Sequence, residues 1–496
     1  MSLAKKAAAG FLWTTGANVG SRIVTIISTF ILTRFLPPDV QGEVYAALVF
    51  VQTFATATNL GVGQYIAANP NSGRDVTFHG SVLLLGAGAI ACLVIYFGRY
   101  AAADLLEAPS VIVYAPALAL SHYVDRCGWL PRNILVRDMR FRLVGLRLAV
   151  GELTYAGTTI VFAYLGYGGW AIVIGNLVRA GLSLAFLVYV TNWRDYLEPN
   201  RLSWATMSKI LHYGVPVSIA NTFHMAAQQW DNGFMVRRFG EGELGLYNQA
   251  YRLADLPATN VGEQINDVLV PTFARLDDSE ARKRGLLRAA SLMALIVFPM
   301  AVGLGVVAKT LVEACYAPSY AGVAPFLTAI SVLSMSRSIG ILAGGFLQVA
   351  GRTRVFAVLD FFLVVMVLGF MWAFSRWGPV ASAIGVGVAF TLNVVFIVLA
   401  LRPEGISISS VFLSIVRPFL ACIPMAASVL AIRYALTFVS WPAGPRVIIE
   451  VAVGALVYVG SALTIANKVS WDLIDLAKGI LRRKRSPAPS NAGADA

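Results

Sequence analysis

Long apolar stretches recur along this chain, separated by short connections marked by Gly, Pro or charge, such as LPPDVQG and RFGEGELG. A helix needs about 20 apolar residues to cross the hydrocarbon core of a bilayer. That ruler marks fourteen spans, at 10–36, 42–68, 78–98, 110–130, 144–165, 168–191, 210–236, 244–271, 286–307, 321–349, 355–375, 379–401, 411–437 and 446–467. The longest gap between them, 192–209, is too short for a soluble domain. The pattern predicts an all-α integral membrane protein of fourteen transmembrane helices. These divide into a six-span bundle over 1–200, a second six-span bundle over 201–405, two further spans over 406–470, and a cytoplasmic amphipathic and disordered tail over 471–496.

Polar positions inside the spans are not scattered. Residues three or four apart share one face of a helix, and four spans carry such a stripe. Span 1 has Thr14, Asn18, Arg22, Thr25, Thr29 and Thr33, and span 2 has Gln52, Thr56, Asn59 and Gly63. Span 7 has Asn221, His224, Gln228 and Asp231, and span 8 has Asn248, Arg252, Asp255, Thr259, Glu263 and Asn266. Spans 3, 9, 12 and 14 read as nearly pure hydrocarbon facing lipid. Polar groups at membrane depth are costly, so a sustained stripe predicts a hydrated cavity or a partner helix. The striped spans are the first two of each six-span half, as expected for two related bundles facing one cleft. A shift of 203 residues also superimposes Asn18 on Asn221, Arg34 on Arg237, Gly42 on Gly245 and Thr56 on Thr259.

The bland alternatives differ by residue. Threonines are expected to bond their own helix backbone, and Arg252 and Asp255, three apart, to neutralise each other. Asp125 and Arg126 with Arg147 and Glu152 are expected to form a structural ion-pair cluster. Arg179, Arg337 and Asp360 have no partner in the sequence pattern. RDMRFR at 137–142 reads as an amphipathic stretch at the membrane surface, Asp277 and Asp278 as a solvated acidic pair, and Pro257 as a bend in span 8.

Composition changes this picture little. Of 496 residues 57% are hydrophobic and 13% charged, more apolar surface than a soluble fold of this size can cover. The net charge of +13 is not gathered into a basic stripe with interleaved aromatics, so no nucleic-acid partner is expected. With the N-terminus inside, the cytoplasmic segments hold 24 of the 39 Lys and Arg and the opposite connections hold 7. That bias places both termini in the cytoplasm. The apolar run behind Lys5 and Lys6 is too long for a signal peptide and is read as span 1. Cys92, Cys127, Cys315 and Cys422 have neither zinc nor disulfide spacing. Residues 468–485 alternate at helical spacing and end in RRKR, which suits an anionic membrane surface.

Arginines in a hydrated cleft suit phosphate or pyrophosphate, amides and hydroxyls suit sugar, and buried carboxylates suit a coupling ion. The opening GFLWTTGANVGSRIVTIISTFILTRFLPPDVQGEVYAALVFVQTFATATNLGVGQYIA resembles the oligosaccharide flippases of polysaccharide biosynthesis. So do GVPVSIAN, FGEGELGLYNQAYRLADLP and RDMRFR. That family belongs to the superfamily of multidrug, oligosaccharidyl-lipid and polysaccharide exporters. The resemblance implies transfer of an undecaprenyl-pyrophosphate-linked oligosaccharide repeat unit across a bacterial inner membrane by alternating access of two bundles. Arg22 and Arg252 would hold the pyrophosphate, and Asn18, Gln52, Asn59, Asn221 and Gln228 the sugars or cavity water. Asp231, Asp255 and Glu263 would couple the step to protons or sodium. No catalytic residue, resident metal or cofactor is expected, and the expected partners are the lipid-linked saccharide, membrane lipids and the polysaccharide polymerase machinery. Three alternatives stay open: a multidrug or cation antiporter, a peptidoglycan-precursor flippase, and a membrane glycosyltransferase or polymerase. Short outward connections with few carboxylates disfavour the enzyme.

Overall fold

The computed structural model describes residues 16, 20–69, 73–192, 194–198, 200–262, 265, 278–438 and 441–485. Every regular element among them is helical. The first are α1 (Gly20–Leu32), α2 (Pro38–Ala57), α3 (Val62–Ala68), α4 (Arg74–Leu106), α5 (Ser110–Cys127) and α6 (Trp129–Arg137). There follow α7 (Phe141–Tyr164), α8 (Trp170–Val190), the single turn α9 (Arg194–Leu197), α10 (Trp204–Phe239) and α11 (Glu241–Pro257). The remainder comprises α12 (Ser279–Cys315), α13 (Val323–Ile330), α14 (Leu333–Val349), α15 (Thr353–Phe374), α16 (Pro379–Ala400), α17 (Ile408–Leu436), α18 (Ala443–Ile465) and α19 (Asn467–Arg485). Among the described residues eight helices are long and apolar enough to cross a membrane, or nine with one bent pair counted as a span. Predicted spans 4, 5 and 7 are occupied by α5, α7 and α10, which are helical but carry more charge. The protein is an all-helical membrane protein.

Several predicted spans are interrupted. Span 2 breaks after Ala57, where Leu60 and Gly61 adopt φ of 51° and 56° before α3 begins. The left-handed conformation suits glycine and ends the helix. Span 10 bends by 48° between Ile330 and Leu333. RDMRFR is a turn rather than one amphipathic stretch: α6 stops at Arg137, Met139 has φ 55°, and Arg140 precedes α7. Asp278 accepts from the backbone N–H groups of Glu280 (3.0 Å) and Ala281 (3.2 Å), so it caps α12. The tail forms α19, tied to α12 by Asp472 and Arg288 at 3.2 Å. Residues 486–496 lie outside the described residues.

The chain divides into two compact units. The first comprises Met1–Ala250, Cys315–Phe326 and Asp360–Val386; the second comprises Tyr251–Ala314, Leu327–Leu359 and Gly387–Ala496. In the first, α2 runs against α10, with Trp230 Nε1 donating to Thr53 Oγ1 (3.1 Å) and Ser218 Oγ to the Ala57 carbonyl (3.1 Å). Glycines set this approach. A Cβ on Gly42 would overlap the Glu241 carbonyl, and one on Gly245 would overlap the Pro38 carbonyl. These two contacts exchange under the 203-residue shift. At the other end of α2, Gly61 and the Leu60 carbonyl meet Gly214 of α10 in the same way. In the second unit, Met293, Val297, Phe298, Leu342, Phe346, Leu347 and Met425 pack α12, α14 and α17 into one core.

Candidate functional site

Two stripes meet in the first unit. Gln52, Thr56 and Asn59 follow one face along α2 and the turn beyond it. His122, Asp125, Arg126 and Trp129 follow one face of α5 and the start of α6. Together with Ala55 they line a cavity of about 170 Å³. The charges in its wall already have partners. Arg126 donates to the Thr58 carbonyl (3.2 Å), to Thr58 Oγ1 (3.0 Å) and to the Ala55 carbonyl. A cation is favourable there, because the carbonyls at the C-terminal end of α2 have no helical partners. Asp125 accepts from Arg147 Nη2 at 2.8 Å. Arg132 lies beyond the predicted span; burial, then Arg147, pushes its guanidinium below the usual value, while Asp125 opposes the shift.

The side chains of Gln52, Thr56, Asn59 and His122 make no hydrogen bond among the described residues, yet all line the cavity. Gly63, the last member of the span 2 stripe, is buried against the indole of Trp129, and any Cβ there would overlap the ring.

A second network in this unit joins α10 to α15. Gln228 Nε2 lies 2.7 Å from His224 Nε2, and His224 Nδ1 lies 3.1 Å from Asp360 Oδ2. Phe223 and Phe361 stack edge-on beside it, 5.1 Å apart. Asp360, partnerless in the sequence pattern, thus has His224. Asp231 is wholly buried and accepts from Tyr247 Oη (2.6 Å) and the Asn232 backbone N–H (2.8 Å). On α1, Thr25, Thr29 and Thr33 each donate to a carbonyl of their own helix at 2.7–2.9 Å, as expected of threonine. Thr25 also bonds Glu152 (3.1 Å), which lies 3.6 Å from Arg179. The expected Asp125–Arg126–Arg147–Glu152 cluster is therefore three separate arrangements, with Arg126 on backbone, Asp125 on Arg147, and Glu152 on Arg179. At the α10–α11 turn, burial pushes the Glu243 carboxyl up.

The second unit has ion pairs of its own. Asp255 pairs with Arg337 of α14 at 2.5 Å, a partner beyond α11 that the sequence pattern does not give. The Arg337 side chain is 8% exposed, reaches Tyr251 Oη at 3.3 Å and lies over the Phe390 ring. Immediately after Pro257 the helix loosens into a π-turn, Ala258–Gly262, where the sequence predicts a bend. Thr259 Oγ1 donates back to the Asp255 carbonyl (3.0 Å). In α18, read as hydrocarbon, Glu450 is fully buried. It accepts from Arg433 at 3.0 and 3.3 Å and from Thr310 at 2.8 Å, while Arg433 also reaches the Val306 carbonyl.

Of the sequence-predicted site residues, Gln52 and Asn59 share the cavity, Gln228 joins the His224 network, and Asn221 is half-buried on α10. Arg22 is half-buried on α1 and Arg252 exposed on α11, while Asp231 and Asp255 are engaged as described. Asn18 and Glu263 lie outside the described residues. His122 and Trp129 do not appear among the sequence-predicted residues; His224 stands in the span 7 stripe and Asp360 among the charges without a partner, neither with a role. For the first two, the spacing of His122, Asp125, Arg126 and Trp129 on a single helical face was the available signal.

The family model for polysaccharide biosynthesis proteins matches residues 31–325. The chain belongs to this family. It is 23% identical over 446 residues to the lipopolysaccharide biosynthesis protein WzxC of Escherichia coli, covering 88% of this chain and 89% of that protein. It is 23% identical to the succinoglycan biosynthesis transport protein ExoT of Rhizobium meliloti, with 97% of each covered. Among solved structures, the lipid II flippase MurJ in an inward closed conformation superposes with a TM-score of 0.76 at 14% identity, covering 92% of this chain and 99% of MurJ. An inward-facing multidrug transporter of the MATE family superposes with a TM-score of 0.62 at 17% identity, covering 77% and 94%. The fold is that shared by MurJ and the MATE transporters.

Proposed function

We propose that this protein carries a polyprenyl-pyrophosphate-linked oligosaccharide repeat unit from the cytoplasmic to the periplasmic leaflet of a bacterial inner membrane, for surface polysaccharide assembly. The observation that carries the reading is family membership over 31–325, set on a fold shared with a lipid II flippase. The full-length relatives named for lipopolysaccharide and succinoglycan biosynthesis support it. It is a transporter, not an enzyme. The 24-to-7 distribution of Lys and Arg supports cytoplasmic termini. On this reading the undecaprenyl pyrophosphate engages Arg22 and Arg252, and the flipped saccharide is passed to the polymerase machinery. A proton couples through His224 and Asp360. That contact joins Asp231, Asp255 and Glu263 as candidates for coupling to a proton or sodium gradient.

Purified protein in liposomes carrying a fluorescent polyprenyl-pyrophosphate oligosaccharide tests this, with leaflet transfer followed by an impermeant quencher. Protein-dependent transfer is expected, lost in Arg22→Ala and Arg252→Ala. A proton gradient should accelerate the wild type and not Asp360→Asn. No transfer, with uptake of cationic dyes instead, would replace the reading by a drug antiporter.

A further inference from the structure

The cavity between α2 and α5 has a chemistry of its own. Its ionic groups are answered internally, Arg126 by the carbonyls ending α2 and Asp125 by Arg147. What remains turned on the space is neutral: the amides of Gln52 and Asn59, the Thr56 hydroxyl, the His122 imidazole and the Trp129 indole. A phosphate would need unspent cationic donors, and a cation would need unspent carboxylates. Arg126 is committed to the Thr58 and Ala55 oxygens, and Asp125 is committed through Oδ1 to Arg147, so either ion would have to compete with these contacts.

Unspent amides, a hydroxyl and an imidazole at membrane depth are costly unless water or a ligand completes them. An amide presents a donor and an acceptor side by side, which matches vicinal hydroxyls. An indole adds a flat apolar face with one polar edge. The space of about 170 Å³ far exceeds the ~15 Å³ that admits one water and is of the order a single pyranose ring fills. Gly63 adds a positional argument: it leaves room for the Trp129 ring against α3 where any side chain would displace it.

We infer that this cavity is a monosaccharide subsite, holding one neutral sugar ring between the Gln52–Asn59 edge of α2 and the His122–Trp129 edge of α5 and α6. The inference rests on the proposed saccharide substrate and narrows it. The ring held here is uncharged, and the subsite lies toward the end of α2 that the basic connections place in the cytoplasm, so it is filled before transfer. Asn59 and Gln52 bind hydroxyls, Trp129 supports the ring, and Arg126 fixes the wall.

The test uses the purified full chain and three soluble probes, the methyl glycosides of glucose, galactose and mannose. Tryptophan fluorescence is expected to respond saturably to at least one of them. The response should vanish in Trp129→Phe. Asn59→Ala or Gln52→Ala should weaken the affinity about tenfold, the loss of a hydrogen bond or two. Gly63→Ala, which displaces the indole, should weaken it as well while the protein stays monodisperse. No saturable response to any glycoside overturns the subsite, and so does a response unchanged in Asn59→Ala and Gln52→Ala. Leaflet transfer measured in parallel separates the two readings. Glycoside binding without lipid transfer keeps the subsite and fails the flippase; lipid transfer without glycoside binding fails the subsite alone.

Discussion

The Glu450 cluster of the second unit and the cavity between α2 and α5 in the first spend their polar side chains in opposite ways. In the second, Glu450 is fully buried yet saturated by Arg433 and Thr310, and Asp255 is closed against Arg337. In the first, Gln52, Thr56, Asn59 and His122 line a cavity with their capacity unspent. A buried group that is fully paired holds helices together, and removing its partner exposes the whole desolvation cost. A half-buried group with nothing to lose within the protein contributes little to stability and is available to a ligand. Charge at membrane depth is thus a poor guide to function in this chain, and unmet hydrogen-bonding capacity a better one.

The contrast breaks first at Glu450. Glu450→Leu strands Arg433 and should cost about 3–5 kcal/mol, read as a fall in the thermal unfolding midpoint in detergent. Adding Arg433→Met should restore most of it, because an apolar pair in that place is often no worse than the ions. A harmless single substitution would remove the distinction between the cluster and the cavity. Asp255→Asn keeps the contact with Arg337 but loses its charge, and about 2 kcal/mol is expected by the same measurement. Asp360→Asn weakens one partly exposed contact with His224, so about 1 kcal/mol or less should be lost, against a complete loss of the proton-gradient response. At the far end, Asn59→Ala should shift stability by no more than about 0.5 kcal/mol while transfer of a saccharide-bearing lipid falls. A large destabilisation there would show that the amide has a structural partner after all.

These differences also explain how much was legible in the sequence. The apolar ruler found helices because lipid imposes one length and one pattern, and the α2 stripe was readable because i, i+4 and i+7 spacing is local. The facing stripe on α5 was just as local, but Asp125 and Arg126 drew attention as charges seeking charges. Arg126 instead bonds backbone carbonyls of another helix, a partner no side-chain pattern announces. Arg337 with Asp255 and Asp360 with His224 are distant in sequence and required the fold. Glu450 disappeared within an apolar run because one carboxylate barely changes a windowed average.

The glycine crossings of α2 carry one further implication. At Gly42, Gly245, Gly61 and Gly214 backbone lies on backbone with no side chain meshed between. Interdigitated helices must lift their teeth over one another to slide, whereas these surfaces are smooth, and parting them forfeits dispersion contacts without unthreading any knob. They are built like bearings. A side chain added at one of the outer pair would also burden its counterpart, because each glycine lies against the helix start that carries the other. Both positions would then be held to the same small residue by their meeting alone.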